Sequence, residues 1–236
     1  MIRRPPRSTL FPYRRSSDLE NVTSYELGAK STWLDGKLRL NGAIFYIDYS
    51  DQQVAATAIV GGVPASIVTN VGKSTAQGLE VELDAVLTQT LQMRASFSYL
   101  DAEYKKYFDG SIDLSGAPLD LAPKYLGVLD FTNTVPMESG SFVTSLPTSY
   151  TGETHLNVLD EYIARAAGGD GDFHVEDGFT LVDARIGYQS NGHWEVFLWG
   201  RNLTDENYRY FTRDFFGKQT LYGPPRTYGA EFRWNL

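Results

Sequence analysis

The sequence of 236 residues contains no cysteine and only 10 prolines. The lack of cysteine excludes disulfide bonds and thiolate chemistry. No apolar run approaches the roughly 18 residues that a transmembrane helix needs, although membrane barrels cross with strands that lack such runs. The formal net charge of −8 argues against a nucleic-acid-binding protein, which would need a basic face.

The N-terminal segment 1–19 differs from the rest of the chain, because it holds five arginines and one aspartate. No apolar stretch follows these arginines, so the segment does not read as a secretory signal. It resembles a translated sequencing adapter, and the alternative is a disordered basic arm. We therefore expect residues 1–19 to be non-native or disordered, and residues 20–236 to form the folded part.

From Glu20 onward, apolar and polar residues alternate in segment after segment. In Leu79–Leu87 the odd positions are apolar, whereas Glu80, Glu82 and Asp84 share the opposite face. Similar alternation occurs in segments 25–33, 91–99, 193–199 and 227–236. A period of two is typical of strands whose two faces meet different surroundings. The sequence predicts an all-β protein, an antiparallel up-and-down meander of about nine long strands.

Short and long connections alternate along this meander. Asp35-Gly36 and Asn191-Gly192 carry the signature of type I′ hairpin turns, and residues 88–90 and 136–139 are also short links. The other links are about 61–64, 105–120, 152–176 and 205–225, of which the last three are long. Placing the short turns on one rim sends every longer loop to the other rim. Outer-membrane barrels have this asymmetry, with short periplasmic turns and long extracellular loops.

A soluble β-sandwich is the alternative fold, since its strands also alternate apolar and polar residues. Strand length, the alternation of loop lengths and the charges along one face of successive strands favour the membrane barrel.

The chain ends on a strand-like segment, Arg226–Leu236. Thr227, Gly229, Phe232 and Trp234 match the C-terminal assembly signal of bacterial outer-membrane β-barrels, in which a polar residue and a glycine precede two alternating hydrophobic residues. That family usually stops on an aromatic residue, whereas this chain stops on Leu236.

Six motifs resemble consecutive strands of TonB-dependent receptors, and they follow that family's order over residues 20–236. They are Asn41–Gln53, Thr69–Lys73 with Gln77–Glu82, Ser98–Tyr104, Ala122–Lys124, Trp199–Tyr208 and Pro225–Gly229. The family's barrels have 22 strands and a plugged lumen. The resemblance therefore implies that the chain is the C-terminal portion of such a barrel, an open transmembrane sheet with two free edges.

The resemblance also implies a function. The intact protein is expected to take up a scarce ligand, a siderophore-type iron chelate, across the outer membrane of a Gram-negative bacterium. It would be a transporter without a cofactor, not an enzyme. A missing N-terminal region would hold a signal peptide, a plug and the box that contacts the TonB-type energy-coupling complex. The expected partners are outer-membrane lipid, that complex and a small-molecule ligand. Two alternatives stay open, a passive porin-like barrel and a soluble carbohydrate-binding sandwich.

The acidic ladder Glu80, Glu82 and Asp84 raises the question of catalysis, because glycoside hydrolysis uses two carboxylates about 5–10 Å apart. A barrel lumen is normally lined with charge, however, and three arginines are available to balance these acids: Arg94, Arg185 and Arg233. The sequence predicts lumen-facing charges rather than a catalytic pair.

Metal ligation is not predicted either. His155, His174 and His193 lie far apart and lack metal-ligand spacing. The acidic, glycine-rich segment 168–177 offers oxygen ligands for a cation, but it does not follow the EF-hand order, and acidic loops are usually solvated.

The segment Tyr208–Phe216 is the strongest candidate for ligand recognition, because it joins aromatic faces to two guanidinium groups. The candidate residues are Arg209, Tyr210, Phe211, Arg213, Phe215 and Phe216. The alternative is that these aromatics belong to the outer-leaflet girdle or pack within the loop.

Overall fold

The computed structural model describes residues 20–60, 63–70, 72–109, 112–214 and 216–234. The first half contains β1 (Asn21–Trp33), β2 (Leu38–Ser50), β3 (Gln53–Val60), β4 (Val63–Asn70), β5 (Lys73–Val86), β6 (Leu91–Lys106), β7 (Phe108–Asp109) and β8 (Ile112–Asp113). Next come β9 (Tyr125–Met137), β10 (Gly140–Thr151), β11 (Thr154–His155), α1 (Val158–Ala166), a 3-10 helix (Gly171–His174) and β12 (Val175–Glu176). The last part contains β13 (Phe179–Val182), β14 (Ala184–Ser190), β15 (Trp194–Arg201), β16 (Arg209–Asp214), β17 (Lys218–Tyr222) and β18 (Thr227–Trp234).

One antiparallel sheet forms the body of the described residues, in the order β1-β2-β5-β6-β9-β10-β14-β15-β18. Strands β13 and β14 are separated only by Asp183 and both pair with β10, so they act as one interrupted strand. The predicted meander of about nine strands is therefore confirmed. A sandwich would need a second large sheet packed on the first, which the described residues do not contain.

Both outer strands of this sheet have one open edge within the described residues. β1 pairs with β2 alone, and β18 pairs with β15 alone. The predicted open sheet is confirmed as well. Strands β3–β4, β7–β8, β11–β12 and β16–β17 form four separate pairs within the connections.

The connections alternate in length as predicted. Short ones span 34–37, 87–90, 138–139 and 191–193, and we call this rim the turn end. Long ones span 51–72, 107–124, 152–178 and 202–226 at the opposite rim, the loop end. The first long connection contains the predicted link at 61–64, since β3 ends at Val60, β4 begins at Val63, and these two residues are paired. β3 and β4 pair with each other and are not part of the main sheet.

The two predicted type I′ turns have different outcomes. Asp35 and Gly36 have φ values of 54° and 88°, as predicted, although Leu34 at 54° lengthens the turn to four residues. Asn191 and Gly192 are not among the described residues with positive φ, so that prediction was wrong. The reason lies in the neighbouring turn. The Asn191 backbone N–H donates to the Ser139 carbonyl at 2.9 Å, and its side-chain amide donates to the Glu138 carbonyl at 3.1 Å.

Three glycines of the sheet lie directly opposite aromatic residues on a neighbouring strand. The pairs are Phe45 with Gly78, Phe197 with Gly187 and Trp199 with Gly229. A Cβ atom at any of these glycines would come closer than 3.0 Å to the opposite ring. The rings therefore cover glycine backbone, an arrangement that supports bending of a sheet.

The buried hydrophobic cluster lies at the loop end rather than in the middle of the sheet. Tyr104, Tyr107, Leu114, Ala117 and Val158 form it, and they join the end of β6, the connection 107–124 and helix α1. The sheet itself has no comparable cluster among the described residues.

Candidate functional site

The pairing register divides the side chains of the main sheet into two faces. On one face, which we call the apolar face, Leu27 lies across from Ile44, and Ile44 lies across from Leu79. Near the other edge, Leu198 lies between Ile186 and Ala230. The exposed fractions of Leu27 and Leu198 are 72% and 59%. An apolar surface this extensive indicates contact with a membrane or another protein.

Aromatic residues border the apolar face at both ends. Towards the loop end Tyr99 pairs with Tyr125, with ring centroids 5.5 Å apart. At the turn end Trp194 pairs with Trp234. On β1, Tyr25 and Trp33 are separated by about 26 Å along the strand. At a strand tilt of about 40° this is a height of about 20 Å, of the same order as the apolar band of outer-membrane barrels, about 25 Å. The arrangement matches the two aromatic girdles of such barrels.

The opposite face, which we call the polar face, carries charges in cross-strand contact. Asp84 lies 3.0 Å from the Arg94 guanidinium and 3.9 Å from that of Arg39. These groups are 43% to 75% exposed, so each ion pair contributes little to stability. Glu82 accepts a hydrogen bond from Asn41 at 3.3 Å. Asp84 and Glu82 of the acidic ladder are thus matched by basic and amide groups, as a charged lining would be.

The other two arginines proposed to balance the ladder do not reach it. Arg185 lies 3.3 Å from Glu231 and 3.4 Å from the ring centroid of Phe197. Arg233 lies 2.7 Å from Glu195 and 2.6 Å from Glu231. The prediction was correct for Arg94 alone, because strand order places Arg185 and Arg233 several strands away from β5.

Two side chains hold the N-terminal turn of helix α1 in place. Asn157 caps it, and its Oδ1 accepts from the Asp160 N–H at 3.0 Å. Asp120, in the connection 107–124, accepts from the Val158 N–H at 2.6 Å. Burial raises the pKa of Asp120, and the Val158 hydrogen bond opposes that shift. These contacts join two of the long connections at the loop end.

A second anchor of α1 is Glu161, whose side chain is 1% exposed. It contacts His155 Nδ1 at 2.7 Å and Arg165 Nη2 at 3.0 Å. This cluster has no signature in the sequence, since Glu161 lies on a short helix among other acidic residues.

The predicted recognition residues lie mostly on β16, and the structure separates them into two groups. The Arg209 guanidinium points into the protein and donates to Glu176 and to the Phe173 and Val175 carbonyls. Tyr210 and Phe211 are 51% and 39% exposed, and Arg213 is also exposed.

At the tip of the β16–β17 hairpin, Phe216 is 98% exposed and has a φ of 55°. Phe215 lies outside the described residues. Among the described recognition residues, Arg209 alone is turned inward.

A groove of about 540 Å³ lies beside the exposed group. Leu159 and Ile163 of α1 line one side of it, and Phe211 and Arg213 of β16 line the other. Asp109 and Asp160 also line it, so the groove combines apolar side chains with one guanidinium group and two carboxylates.

Three carboxylates of the acidic segment 168–177 have partners within the protein. Asp170 caps the 3-10 helix and accepts from the Asp172 N–H at 2.8 Å, and Asp172 lies 3.4 Å from Arg165. Glu176 pairs with Arg209. Across the part of the chain that the structure describes, no three histidine or acidic side chains converge on a point that would hold a metal ion.

Within the described residues, no helix is both long enough and apolar enough to cross a bilayer.

A protein-family model described as "TonB dependent receptor-like, beta-barrel" matches residues 2–203. The chain therefore belongs to this family, as the six sequence motifs predicted. The match begins within segment 1–19, which lies outside the described residues, and the non-native origin of that segment stays a prediction.

Two curated relatives carry more specific names. The ferric-pyoverdine M114 receptor PbuA of Pseudomonas sp. (strain M114) is 29% identical over 209 residues, covering 87% of this chain and 23% of the relative. The probable TonB-dependent siderophore receptor PiuA of Acinetobacter baumannii is 26% identical over 201 residues, covering 84% and 24%. The chain thus spans about a quarter of the length of these relatives.

Solved structures agree on the fold. The ferric yersiniabactin uptake receptor FyuA from Yersinia pestis aligns with a TM-score of 0.70 at 18% identity, covering 91% of this chain and 30% of FyuA. At that identity the likeness concerns architecture alone. The relatives are receptors, in line with the prediction that the chain is not an enzyme.

Proposed function

We propose that this chain forms the C-terminal part of the barrel wall of an outer-membrane receptor in a Gram-negative bacterium. The intact receptor takes up a scarce small molecule, a siderophore-type iron chelate, with energy supplied by a TonB-type complex. Family membership and the names of the relatives support this proposal. The chain contributes wall and loops, and a plug and coupling box would belong to a preceding region.

The observation that carries the proposal is the exposed apolar face between two aromatic borders. Within the described residues, no protein layer covers the leucine, isoleucine and phenylalanine side chains of this face, and Phe232 is 66% exposed. In water such a surface drives aggregation, whereas in a bilayer it is the required surface. The polar face then lines the lumen, and its arginine–carboxylate contacts meet water or the plug.

The orientation follows from the connections. The turn end is periplasmic and the loop end extracellular, because barrels of this kind have short periplasmic turns and long extracellular loops. On this assignment the groove between α1 and β16 opens at the outer mouth.

Ligand recognition is assigned to the β16–β17 hairpin. Tyr210, Phe211, Arg213, Phe215 and Phe216 offer aromatic surface and a guanidinium group for a flat, anionic chelate. Arg209 belongs to the same hairpin, but its donors are directed to protein acceptors.

A binding assay on the full-length receptor tests this assignment. Ferric chelates of hydroxamate and catecholate type serve as probes, and Arg213→Ala is compared with Arg39→Ala. Arg39→Ala removes the same charge from the polar face at the opposite rim. We expect Arg213→Ala to weaken binding by about tenfold, the effect of one lost charged hydrogen bond. Unchanged affinity in Arg213→Ala, and also in Arg209→Ala, would remove the recognition assignment.

Uptake separates the proposal from the porin-like alternative. Cells that carry the full-length receptor should stop accumulating iron from the chelate when the inner-membrane proton gradient is collapsed. Uptake that continues, and rises linearly with chelate concentration, would favour a passive barrel.

A further inference from the structure

We infer that Arg209 is a positioning residue that clamps the β16–β17 hairpin onto the segment 171–178, and that it acts on ligand recognition only through that clamp. The effect on recognition rests on the proposed function, whereas the clamp itself does not.

The contacts of Arg209 occupy all three guanidinium nitrogens. Nε donates to the Glu176 carboxylate, Nη1 donates to the Phe173 carbonyl at 2.8 Å, and Nη2 donates to the Val175 carbonyl at 2.5 Å. A guanidinium group presents its donors in a fixed planar fork, and here the fork fits three acceptors within four consecutive residues. Lysine keeps the charge but has a single nitrogen, so it cannot reproduce this set.

Burial adds to the importance of the pair. The side chains of Arg209 and Glu176 are 22% and 10% exposed. An ion pair withdrawn from water to this extent is costly to break on one side only, because the remaining charge loses its partner in a poorly solvated place.

A β-bulge explains how Arg209 comes to face inward. The register of β16 against β17 shifts between Arg209 and Phe211. In a regular strand, residues 209 and 212 would lie on opposite faces, since side chains alternate. The register shift places the side chains of residues 209 and 212 on the same side of β16. Arg209 and the fully buried Thr212 therefore both contact the 3-10 helix region.

Further contacts tie the same hairpin along its length. His174 Nδ1 lies 3.0 Å from Thr212 Oγ1. The Asn157 side-chain amide donates to the Thr212 carbonyl at 3.3 Å, and the Asp214 N–H donates to Asp160 Oδ2 at 2.9 Å. Two long connections, 152–178 and 202–226, are thereby joined into one unit.

This unit determines where the exposed recognition residues lie. Tyr210 and Arg213 are placed by a strand whose inward residues are Arg209 and Thr212. Loss of the clamp would let the hairpin move away from α1 and open the groove that Phe211 and Arg213 line.

The test measures amide hydrogen exchange in the full-length receptor without ligand, for Arg209→Lys and for Arg213→Lys. Arg213→Lys is the matched control, since it makes the same change on the exposed side of the same strand. We expect Arg209→Lys to speed exchange in segment 171–178 by about tenfold or more, and Arg213→Lys to leave it within about twofold. If Arg209→Lys leaves that segment as protected as in the parent protein, the clamp does not exist.

A double variant separates a specific pair from general destabilisation. Arg209→Gln leaves Glu176 charged and unpaired, whereas Arg209→Gln with Glu176→Gln leaves no unpaired charge. We expect the double variant to recover at least part of the lost protection. Equal or greater loss in the double variant would show that the two residues do not act as a pair.

Affinity for the chelate probes, measured on the same samples, keeps the two proposals apart. One outcome is that hydrogen exchange changes as expected in Arg209→Lys, while neither the parent protein nor any variant binds a chelate. In that case the clamp is supported and the proposed ligand is wrong. If Arg209→Lys weakens binding while exchange in 171–178 is unchanged, Arg209 contacts the ligand directly and the inference is overturned.

Discussion

Trp199 on β15 lies directly opposite Gly229 on β18, and its indole ring occupies the space that a side chain at position 229 would need. From the sequence, Gly229 is predicted to be part of a C-terminal assembly signal. The structure adds a local reason for glycine at this position, because a Cβ atom there would come closer than 3.0 Å to the ring.

Gly229→Val is therefore expected to destabilise the β15–β18 pair by about 1–3 kcal/mol, the usual cost of overpacking. Urea unfolding of the full-length receptor in detergent measures the change. Gly28→Val is the control, since the nearest atom to a Cβ on Gly28 is 3.5 Å away, an ordinary contact distance. Equal destabilisation by the two substitutions would mean that Trp199 does not set the requirement.

Glu161→Gln is expected to loosen helix α1. The carboxylate is buried and holds both His155 and Arg165, so its loss should cost about 1–3 kcal/mol locally. Protease cleavage within 158–170 reports this loosening. The other acidic partner of Arg165 is Asp172, whose side chain is 79% exposed. Asp172→Asn should therefore leave cleavage unchanged. Equal sensitivity in both variants would contradict the role given to Glu161.

Acidification should weaken the contact between the hairpin and the 3-10 helix. Burial lowers the pKa of His174 below its ordinary value of 6.5; Lys218 adds to this shift, while Asp160, Asp214 and Glu161 oppose it. The unfolded segment then binds a proton more readily than the folded one. The stability due to neutral His174 is present above about pH 6.5 and is lost as the pH falls towards the lowered pKa.

Hydrogen exchange of residues 171–176 at about pH 7.5 and about pH 5.5, corrected for intrinsic rates, checks this pH dependence. His174→Gln should remove the difference in protection between the two pH values. His193→Gln, at the turn end, should leave that difference unchanged. Asp120 changes stability with pH in the opposite direction to His174. Burial raises the pKa of Asp120 above 3.8, so the stability contributed by its protonated form is lost as the pH rises through that raised value. Protection that does not change between the two pH values would contradict the assignment to His174.

The sequence predicted the sheet well because each strand carries its own signal. Alternation along Leu79–Leu87 depends on the two faces of one strand, and a period of two needs no knowledge of distant residues. The alternation of short and long connections then fixed the arrangement of the two rims. The alternation did not predict that β3 and β4 pair only with each other, because a strand outside the main sheet has the same local pattern as a strand within it.

The loop end was much less predictable. The inward direction of Arg209 depends on a bulge and on acceptors more than 30 residues away in the sequence. Counting arginines and aromatics in segment 208–216 could not distinguish Arg209, which faces inward, from the residues that face outward. The turn at Asn191-Gly192 failed for a similar reason, since hydrogen bonds from the adjacent turn overrode the local preference.

We propose that the apolar face of the sheet meets lipid while the polar face does not. These 236 residues contain no cysteine, so single cysteines introduced along β18 can carry spin labels once any cysteine elsewhere in the full-length receptor is replaced by serine. A scan along β18 in the full-length receptor, reconstituted in lipid vesicles, would compare access to oxygen with access to a water-soluble nickel chelate. We predict high oxygen access at Tyr228, Ala230, Phe232 and Trp234 and low oxygen access at the residues between them. A scan without this period of two, or one in which Phe232 is open to the nickel chelate, would contradict the account.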